Sequence, residues 1–285
     1  MKAPPFAYVR ARSLGEVFDL LEHHGESARL LAGGQSLLAS LNMRLAAPEL
    51  LIDITRIAEL SGIEVRGRKI RIGALATHAE IQRSAEIARH LPLLSQAAPH
   101  IAHVAIRNVG TFGGSLAHAD PAAEWPACCV VLDAQFVLRS RAGTRRVAAR
   151  EFFQGLYATA LRPNEILAQV EVAATGTNWR SAFVELSRRR GDYATVGVAA
   201  LARKSARGVL SDLRVAFLGV GPAPALARAS MAALEGKRVS ADTIAAAGEA
   251  LGQDLEPSAD LHAAASTKLH LARVITGRAL TALAA

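Results

Sequence analysis

Apolar residues in the first half of the chain recur at helical spacing in some segments and at strand spacing in others. Over residues 14–21 the spacing is helical, and Ser13 can cap the first amides while Glu16 reaches back to the Ser13 amide. Thr77 and Glu80 form a second capping pair, which predicts another helix. The pattern also predicts strands over 28–31 and 50–54, a hairpin of 63–65 and 70–72, and one helix over 93–106.

The second half of the chain contains apolar segments that mostly predict strands. Residues 130–139 and 144–148 are predicted to pair, and a further strand is expected over 166–172. Small polar residues at 175–178 indicate a linker, so the chain is predicted to divide into domains 1–176 and 177–285. Strands over 181–186, 196–202 and 213–219 follow, and then closing helices, one of them over 263–284. Strands and helices mix without strict alternation, which predicts the α+β class.

Composition narrows the class of protein. Of the 285 residues, 51% are hydrophobic and 20% charged, which is typical of a folded protein with one large core or two of ordinary size. With no long apolar run and no signal-peptide core near the N-terminus, we expect a cytoplasmic protein without a membrane span. The formal charge of +8 is dispersed and aromatic residues are only 5%, which argues against nucleic-acid binding. The charge favours acidic partner subunits or the phosphates of a cofactor.

The cysteines, histidines and serines of the chain do not predict an iron–sulfur cluster, a metal site or a hydrolase. Cys128 and Cys129 are adjacent in an apolar stretch, which predicts buried thiols, and two cysteines are too few for an iron–sulfur cluster. The histidines near residues 100–118 lack a further ligand at a useful spacing, so no metal site is predicted; they are His100, His103 and His118. No G-x-S-x-G motif is present, which argues against a serine hydrolase.

Two segments each place a glycine pair and then a serine after an apolar segment. They are Ala32-Gly33-Gly34-Gln35-Ser36 and Thr111-Phe112-Gly113-Gly114-Ser115. Paired glycines permit positive φ and close approach of a ligand, so backbone amides can converge on an anion while the hydroxyl adds a donor. Two such loops would clamp the two phosphates of a dinucleotide. Each pair alone is also compatible with an ordinary tight turn, and neither follows the G-x-G-x-x-G pattern.

In combination, several segments resemble the FAD-binding medium subunits of the molybdenum hydroxylases. The resemblance extends over nearly the whole chain, rests on 31–38, 105–124, 191–194 and 269–275, and is nearest to aerobic carbon monoxide dehydrogenase and more distant from xanthine dehydrogenase. It implies a two-part FAD-binding domain of the vanillyl-alcohol-oxidase type and a small α+β C-terminal domain.

The resemblance also implies roles for particular residues. The pyrophosphate would be held by Ala32, Gly33, Gly34, Gln35, Ser36 and Leu37 together with Thr111, Gly113, Gly114 and Ser115. The ribityl or ribose hydroxyls would be bound by Asp120 and Glu124, the flavin or adenine would be lined by Ile101 and Leu167, and the isoalloxazine would lie near Tyr193. The alternative for Tyr193 is an ordinary half-buried aromatic of a strand.

Two positions depart from the pattern of the relatives. Val184-Glu185 stands where a lysine is frequent, which puts a cationic contact near the flavin in doubt. Thr267-Lys268 replaces a tyrosine–arginine pair, so a subunit contact is expected to be altered.

The function implied by the resemblance is electron transfer within a complex. FAD in this chain would pass electrons from an iron–sulfur small subunit to an external acceptor, after a molybdenum-cofactor large subunit has oxidised the substrate, in a dimer of heterotrimers. No catalytic acid or base is then required in this chain. The alternatives are a self-sufficient flavin oxidase of the vanillyl-alcohol-oxidase superfamily and a flavin-free scaffold subunit.

Overall fold

A parallel three-stranded sheet opens the molecule, which is described by a computed structural model over residues 2–285. Apolar side chains of the first helix and the central strand, among them Val17 and Ile52, form its core. The strand order is β1-β3-β2. The elements are β1 (Ala7–Arg10), α1 (Leu14–His24), β2 (Ala28–Leu31), α2 (Leu37–Asn42) and β3 (Leu50–Asp53).

A five-stranded antiparallel sheet and a layer of short helices follow, with strand order β4-β5-β10-β6-β7. The chain continues through β4 (Ile63–Arg66), β5 (Lys69–Gly73), α3 (His78–Arg83), α4 (Ala85–His90), α5 (Pro92–Ala97), α6 (Val104–Arg107), α7 (Phe112–His118), α8 (Glu124–Val131), β6 (Gln135–Ser140), β7 (Gly143–Ala148), α9 (Ala149–Phe152), β8 (Phe153–Gly155), β9 (Ala158–Thr159) and β10 (Ile166–Ala173).

The C-terminal region contains a sheet whose two faces are both buried. Its elements are β11 (Trp179–Ser187), β12 (Ala194–Lys204), β13 (Leu210–Leu218), β14 (Ala225–Leu226), α10 (Arg228–Leu234), α11 (Ala241–Asp254) and α12 (Ala265–Ala284). One face, with Phe183 and Leu218, joins the core of the preceding region, and the other, with Val198 and Phe217, packs on the closing helices. Because both faces exclude water, β12 is apolar almost throughout. The mixture of strands and helices confirms the α+β class.

Two predicted elements are wrong. The single helix over 93–106 is broken into α5 and α6. Pro99 has no backbone N–H to donate to the preceding turn, and Ala102 takes a positive φ of 41°. Residues 130–131 end α8 instead of beginning a strand. Every residue of α8 is buried, and a short apolar run in a buried helix cannot be distinguished from a strand by its periodicity.

The two capping predictions had different outcomes. Thr77 and Glu80 form the reciprocal pair that was expected. Ser13 accepts from the Glu16 amide, but the Glu16 carboxylate accepts from the Arg12 amide at 2.9 Å, so this pair is reciprocal only in part. Cys128 and Cys129 are fully buried, as predicted, and burial raises the pKa of both thiols. Among residues 2–285 no helix is long and apolar enough to cross a membrane.

Candidate functional site

The first glycine segment forms an open turn between β2 and α2. Gly34 has φ of 68°, and the side-chain amide of Gln35 donates to the Gly33 carbonyl at 2.9 Å. Within residues 2–285, the backbone amides of 33–36 donate to no protein acceptor. Consecutive unpaired amides beside a left-handed glycine are a favourable arrangement for an anion. Ser36 and Leu37 then lead into α2.

The second glycine segment is a helix and not a loop, which corrects the expectation that the two are built alike. Thr111 caps α7, and its hydroxyl accepts from the Gly114 amide at 3.1 Å. The amides of Phe112 and Gly113 donate to carbonyl oxygens of residues 76 and 74, at 2.8 Å each. The amides of residues 112–115 are therefore occupied, and the hydroxyls of Thr111 and Ser115 are the side-chain donors that the segment offers.

The two segments lie side by side, and the approach is closest where Gly33 meets the residues just before Thr111. A Cβ on Gly33 would overlap the Val109 carbonyl oxygen and would lie 2.8 Å from Gly110 Cα. A Cβ on Gly114 would lie 2.6 Å from Thr111 Oγ1 and 3.9 Å from the Ala32 Cβ. Gly33 is thus required by close backbone approach, whereas Gly114 leaves room for the Thr111 hydroxyl that caps its own helix. The unpaired amides of 33–36 lie beside the approach at Gly33.

Acidic and aromatic side chains gather after α7. Asp120 accepts from the Ala122 amide at 2.9 Å and lies close enough to Tyr157 to raise the pKa of that phenol, in addition to the effect of burial. Tyr193 is 70% exposed, and its pKa is raised by desolvation and then by Asp120. Glu124 is only 8% exposed, and burial raises its pKa to about 7. The structure therefore brings Asp120, Glu124 and Tyr193 together.

The loop that carries Tyr193 rests on the break between α5 and α6. Gly191 has φ of 89°, and a Cβ there would lie 2.7 Å from the His103 ring and 3.0 Å from the Ala102 carbonyl oxygen. Arg107 secures this break, since its guanidinium donates to the carbonyls of Ile101 and Ala102 at 2.8 and 2.9 Å. The break between α5 and α6 in the N-terminal region thus positions the Tyr193 loop, which connects β11 and β12 in the C-terminal region.

The two residues predicted to line the flavin or adenine lie in the core, unlike the exposed Tyr193. Ile101 and Leu167 are buried in the same core as α7. Leu167 is on β10 next to Ala168, whose carbonyl accepts from the amide of Ala74, the residue packed against Gly113.

Sequence reasoning missed Arg107 and Tyr157, and it considered His103 only as a metal ligand. Tyr157 packs its ring against His118 at a centroid distance of 5.0 Å. Its position depends on the return of β8 and β9 to α7, so no local pattern indicated it.

Lys268 points inward, where it donates to the Gly219 carbonyl at 3.1 Å and pairs with Asp260 at 2.7 Å.

Comparison with known families gives the class of protein. Residues 4–174 match the FAD binding domain in molybdopterin dehydrogenase, and residues 181–283 match the CO dehydrogenase flavoprotein C-terminal domain. The chain therefore belongs to the FAD-binding medium subunits of the molybdenum hydroxylases, and it is an oxidoreductase subunit with FAD as its cofactor. The resemblance inferred from the motifs is confirmed.

Individual relatives support the assignment over the full length. The chain is 40% identical to the carbon monoxide dehydrogenase medium chain of Hydrogenophaga pseudoflava, over 99% of this chain and 98% of that one. It is 39% identical to 6-hydroxypseudooxynicotine dehydrogenase complex subunit alpha of Paenarthrobacter nicotinovorans, over 98% and 95%. A solved structure of carbon monoxide dehydrogenase from H. pseudoflava superposes with a TM-score of 0.97 at 41% identity, over 99% of this chain and 98% of that one.

Proposed function

We propose that FAD lies along the junction of the two glycine segments, with its diphosphate on the amides of 33–36. The unpaired amides are the observation that carries the proposal, since consecutive backbone donors without protein acceptors beside a left-handed glycine favour an anionic group. Gly33 allows the approach, Gly114 leaves room for the Thr111 hydroxyl, and the hydroxyls of Thr111 and Ser115 supply donors from the other side. The remaining residues of the proposed site act through the backbone. The turn of the first segment is shaped by Ala32, Gly34, Gln35 and Leu37, and the close packing of α7 depends on Gly113.

We further propose roles for the residues around the remainder of the cofactor. The carboxyl groups of Asp120 and Glu124 suit hydrogen bonds with ribityl or ribose hydroxyls. Ile101 and Leu167 support the flavin or adenine from the core, and the exposed ring of Tyr193 covers the isoalloxazine. In this proposal the FAD-binding domain is of the vanillyl-alcohol-oxidase type and ends at residue 176.

The chain is proposed to relay electrons within a dimer of heterotrimers. A molybdenum-cofactor large subunit would oxidise the substrate, and an iron–sulfur small subunit would deliver electrons to this chain. Bound FAD supplies the exchange of single electrons with the clusters and of a pair with an external acceptor. The polypeptide contributes binding, orientation and exclusion of water, and no proton transfer by its side chains is required.

Co-expression with the molybdenum and iron–sulfur subunits is expected to yield a complex that oxidises substrate, whereas the FAD-loaded chain alone does not. The measurement is acceptor reduction under substrate, with mass from light scattering after size exclusion. The FAD-loaded chain reduced chemically is the control, because it must still transfer electrons to the acceptor. Turnover of substrate by the isolated chain at enzyme-like rates would instead support a self-sufficient oxidase.

Substitutions of Tyr193 are expected to separate the effect of its ring from that of its hydroxyl. Tyr193→Phe keeps the ring and should leave reoxidation of the reduced enzyme within about twofold of wild type, because a phenol with raised pKa is a poor proton donor at neutral pH. Tyr193→Ala should change the rate with oxygen several-fold by uncovering the site. Stopped-flow reoxidation measures both, and a slow Phe variant beside an unchanged Ala variant would identify the hydroxyl as the active group.

A further inference from the structure

A buried histidine lies behind the two glycine segments. His78 is the first residue of α3 and is only 5% exposed. Its backbone amide donates to the Gly110 carbonyl at 3.0 Å, which attaches the start of α3 to the residue just before Thr111. Buried polar side chains are normally held by hydrogen bonds, so the partners of the His78 ring define how it is oriented.

One nitrogen of the His78 ring is occupied by Trp125. The indole Nε1–H donates to His78 Nδ1 at 2.9 Å, and Trp125 is fully buried. An indole nitrogen can only donate, so Nδ1 must be the unprotonated nitrogen of the imidazole. Burial, and after it the charge of Arg107, lowers the pKa of His78 to about 4, so the ring is neutral in neutral solution. The neutral ring therefore carries its proton on Nε2, and Trp125 fixes both its tautomer and its orientation.

The other edge of the ring lies against Gly110. A Cβ on Gly110 would lie 2.8 Å from His78 Nε2 and 2.9 Å from its Cδ2, so the ring leaves no space for a side chain there. Gly110 also contacts the first glycine segment, because a Cβ on Gly33 would lie 2.8 Å from the Gly110 Cα. A continuous series of contacts thus runs from the indole through the imidazole and Gly110 to the Gly33 turn.

The same indole supports the start of the second glycine segment. The ring of Phe112, the first residue of α7, packs edge to face on Trp125 at a centroid distance of 5.3 Å. The Phe112 amide donates to the Ala76 carbonyl at 2.8 Å, two residues before His78. The pair of His78 and Trp125 therefore lies behind both glycine segments.

We propose that His78 is a positioning residue for FAD: its ring, oriented by Trp125, holds Gly110 in place beside Gly33 and so keeps the amides of 33–36 in the arrangement that binds the diphosphate. The inference rests on the proposed position of the diphosphate and adds two residues that lie outside the glycine segments. If the ring lost its orientation, residues 109 and 110 could shift, and the turn would shift with them because Gly33 has no clearance from that backbone. This effect requires no contact between His78 and the cofactor.

Fluorescence titration of the full-length apo chain with FAD tests the proposal. His78→Asn keeps an acceptor for the indole but lacks the ring edge at Gly110, and it is expected to weaken FAD binding roughly tenfold, or about 1.4 kcal/mol. His78→Gln restores a side chain long enough to reach Gly110 and should recover the affinity to within about threefold of wild type. Trp125→Phe removes the donor but keeps an aromatic ring, and a loss of roughly threefold is expected. Trp179→Phe, on β11, is the matched control and should bind FAD as the wild type does.

Leu251→Ala distinguishes positioning from a general loss of stability. Leu251 is buried among the closing helices, so its truncation leaves a cavity and should lower the unfolding temperature while FAD affinity stays unchanged. Wild-type affinity in His78→Asn overturns the proposal, and so does an equal loss of affinity in Leu251→Ala. If Gly33→Ala weakens FAD binding and His78→Asn does not, the role of His78 is wrong while the position of the diphosphate stands. If neither variant weakens binding, both are wrong.

Nitrogen NMR of the apo chain, labelled at its nine histidines, reports the state of the ring without FAD. The His78 signals, identified by their absence in His78→Asn, are expected to be those of a neutral ring protonated on Nε2. In Trp125→Phe both neutral tautomers should appear, because the donor that excludes a proton on Nδ1 is gone. A wild-type ring protonated on Nδ1, or a tautomer unchanged in Trp125→Phe, would overturn the proposed role of Trp125.

Discussion

Replacement of Gly33 by alanine is expected to reduce the affinity of the chain for FAD by roughly 100-fold, which corresponds to the loss of about 3 kcal/mol from two hydrogen bonds to a charged group. The added Cβ would overlap the Val109 carbonyl oxygen, which belongs to the backbone and cannot rotate away. The turn must then move, and the amides of 33–36 move with it. Fluorescence titration of the apo chain with FAD measures the effect.

The matched control for this experiment is Gly15→Ala in α1. A Cβ at that position has Ser13 Oγ as its nearest neighbour at 3.7 Å, an ordinary contact distance. It should therefore leave FAD affinity unchanged and keep or improve helix stability. Circular dichroism should show both variants folded. Wild-type affinity in Gly33→Ala would refute the proposed position of the diphosphate.

Arg107→Met is expected to lower the free energy of unfolding by about 3 kcal/mol, because it leaves the buried carbonyl oxygen of Ile101 and the part-buried one of Ala102 without their donor. Arg107 is 9% exposed and also donates to Gln82 at 3.0 Å, whereas methionine fills the space without a polar group. Urea denaturation followed by the fluorescence of the buried Trp125 measures the loss.

Arg141→Met provides the comparison for Arg107. Arg141 is exposed and pairs with Asp19 and Glu22 on the surface of α1, so its removal should cost at most about 1 kcal/mol. Equal losses in the two variants would show that the break between α5 and α6 does not depend on the guanidinium. A second expected result is altered exchange of the Tyr193 loop in Arg107→Met, because that loop rests on the His103 and Ala102 that follow Ile101.

Local signals predicted the elements that depend on local interactions. The capping pair at Thr77, the hairpin of 63–65 and 70–72 and the strand over 181–186 were all visible in the sequence, since neighbouring residues determine them. The helix α8 was misassigned in part because burial on every side removes the periodicity on which such predictions depend.

The site was predictable where glycine carries the signal and unpredictable where distant segments meet. The glycine pairs indicated a place of close approach, but not that the second pair would lie in a helix with its amides occupied. Tyr157 and the Arg107 contacts arise from tertiary packing and have no local signature. The departure at Glu185 was visible in the sequence, whereas the face of β11 on which Glu185 lies follows from the packing of the sheet.

The sheet of β11–β13 also has a consequence for biosynthesis. The ribosome releases the C-terminal region last, so the earlier part of the chain emerges with the surface that receives Phe183, Leu201 and Leu218 still uncovered. A nascent chain in that state exposes an apolar surface to chaperones and to other nascent chains. Truncation before residue 179 would make that exposure permanent, and a premature stop codon there should yield insoluble protein instead of a smaller flavoprotein.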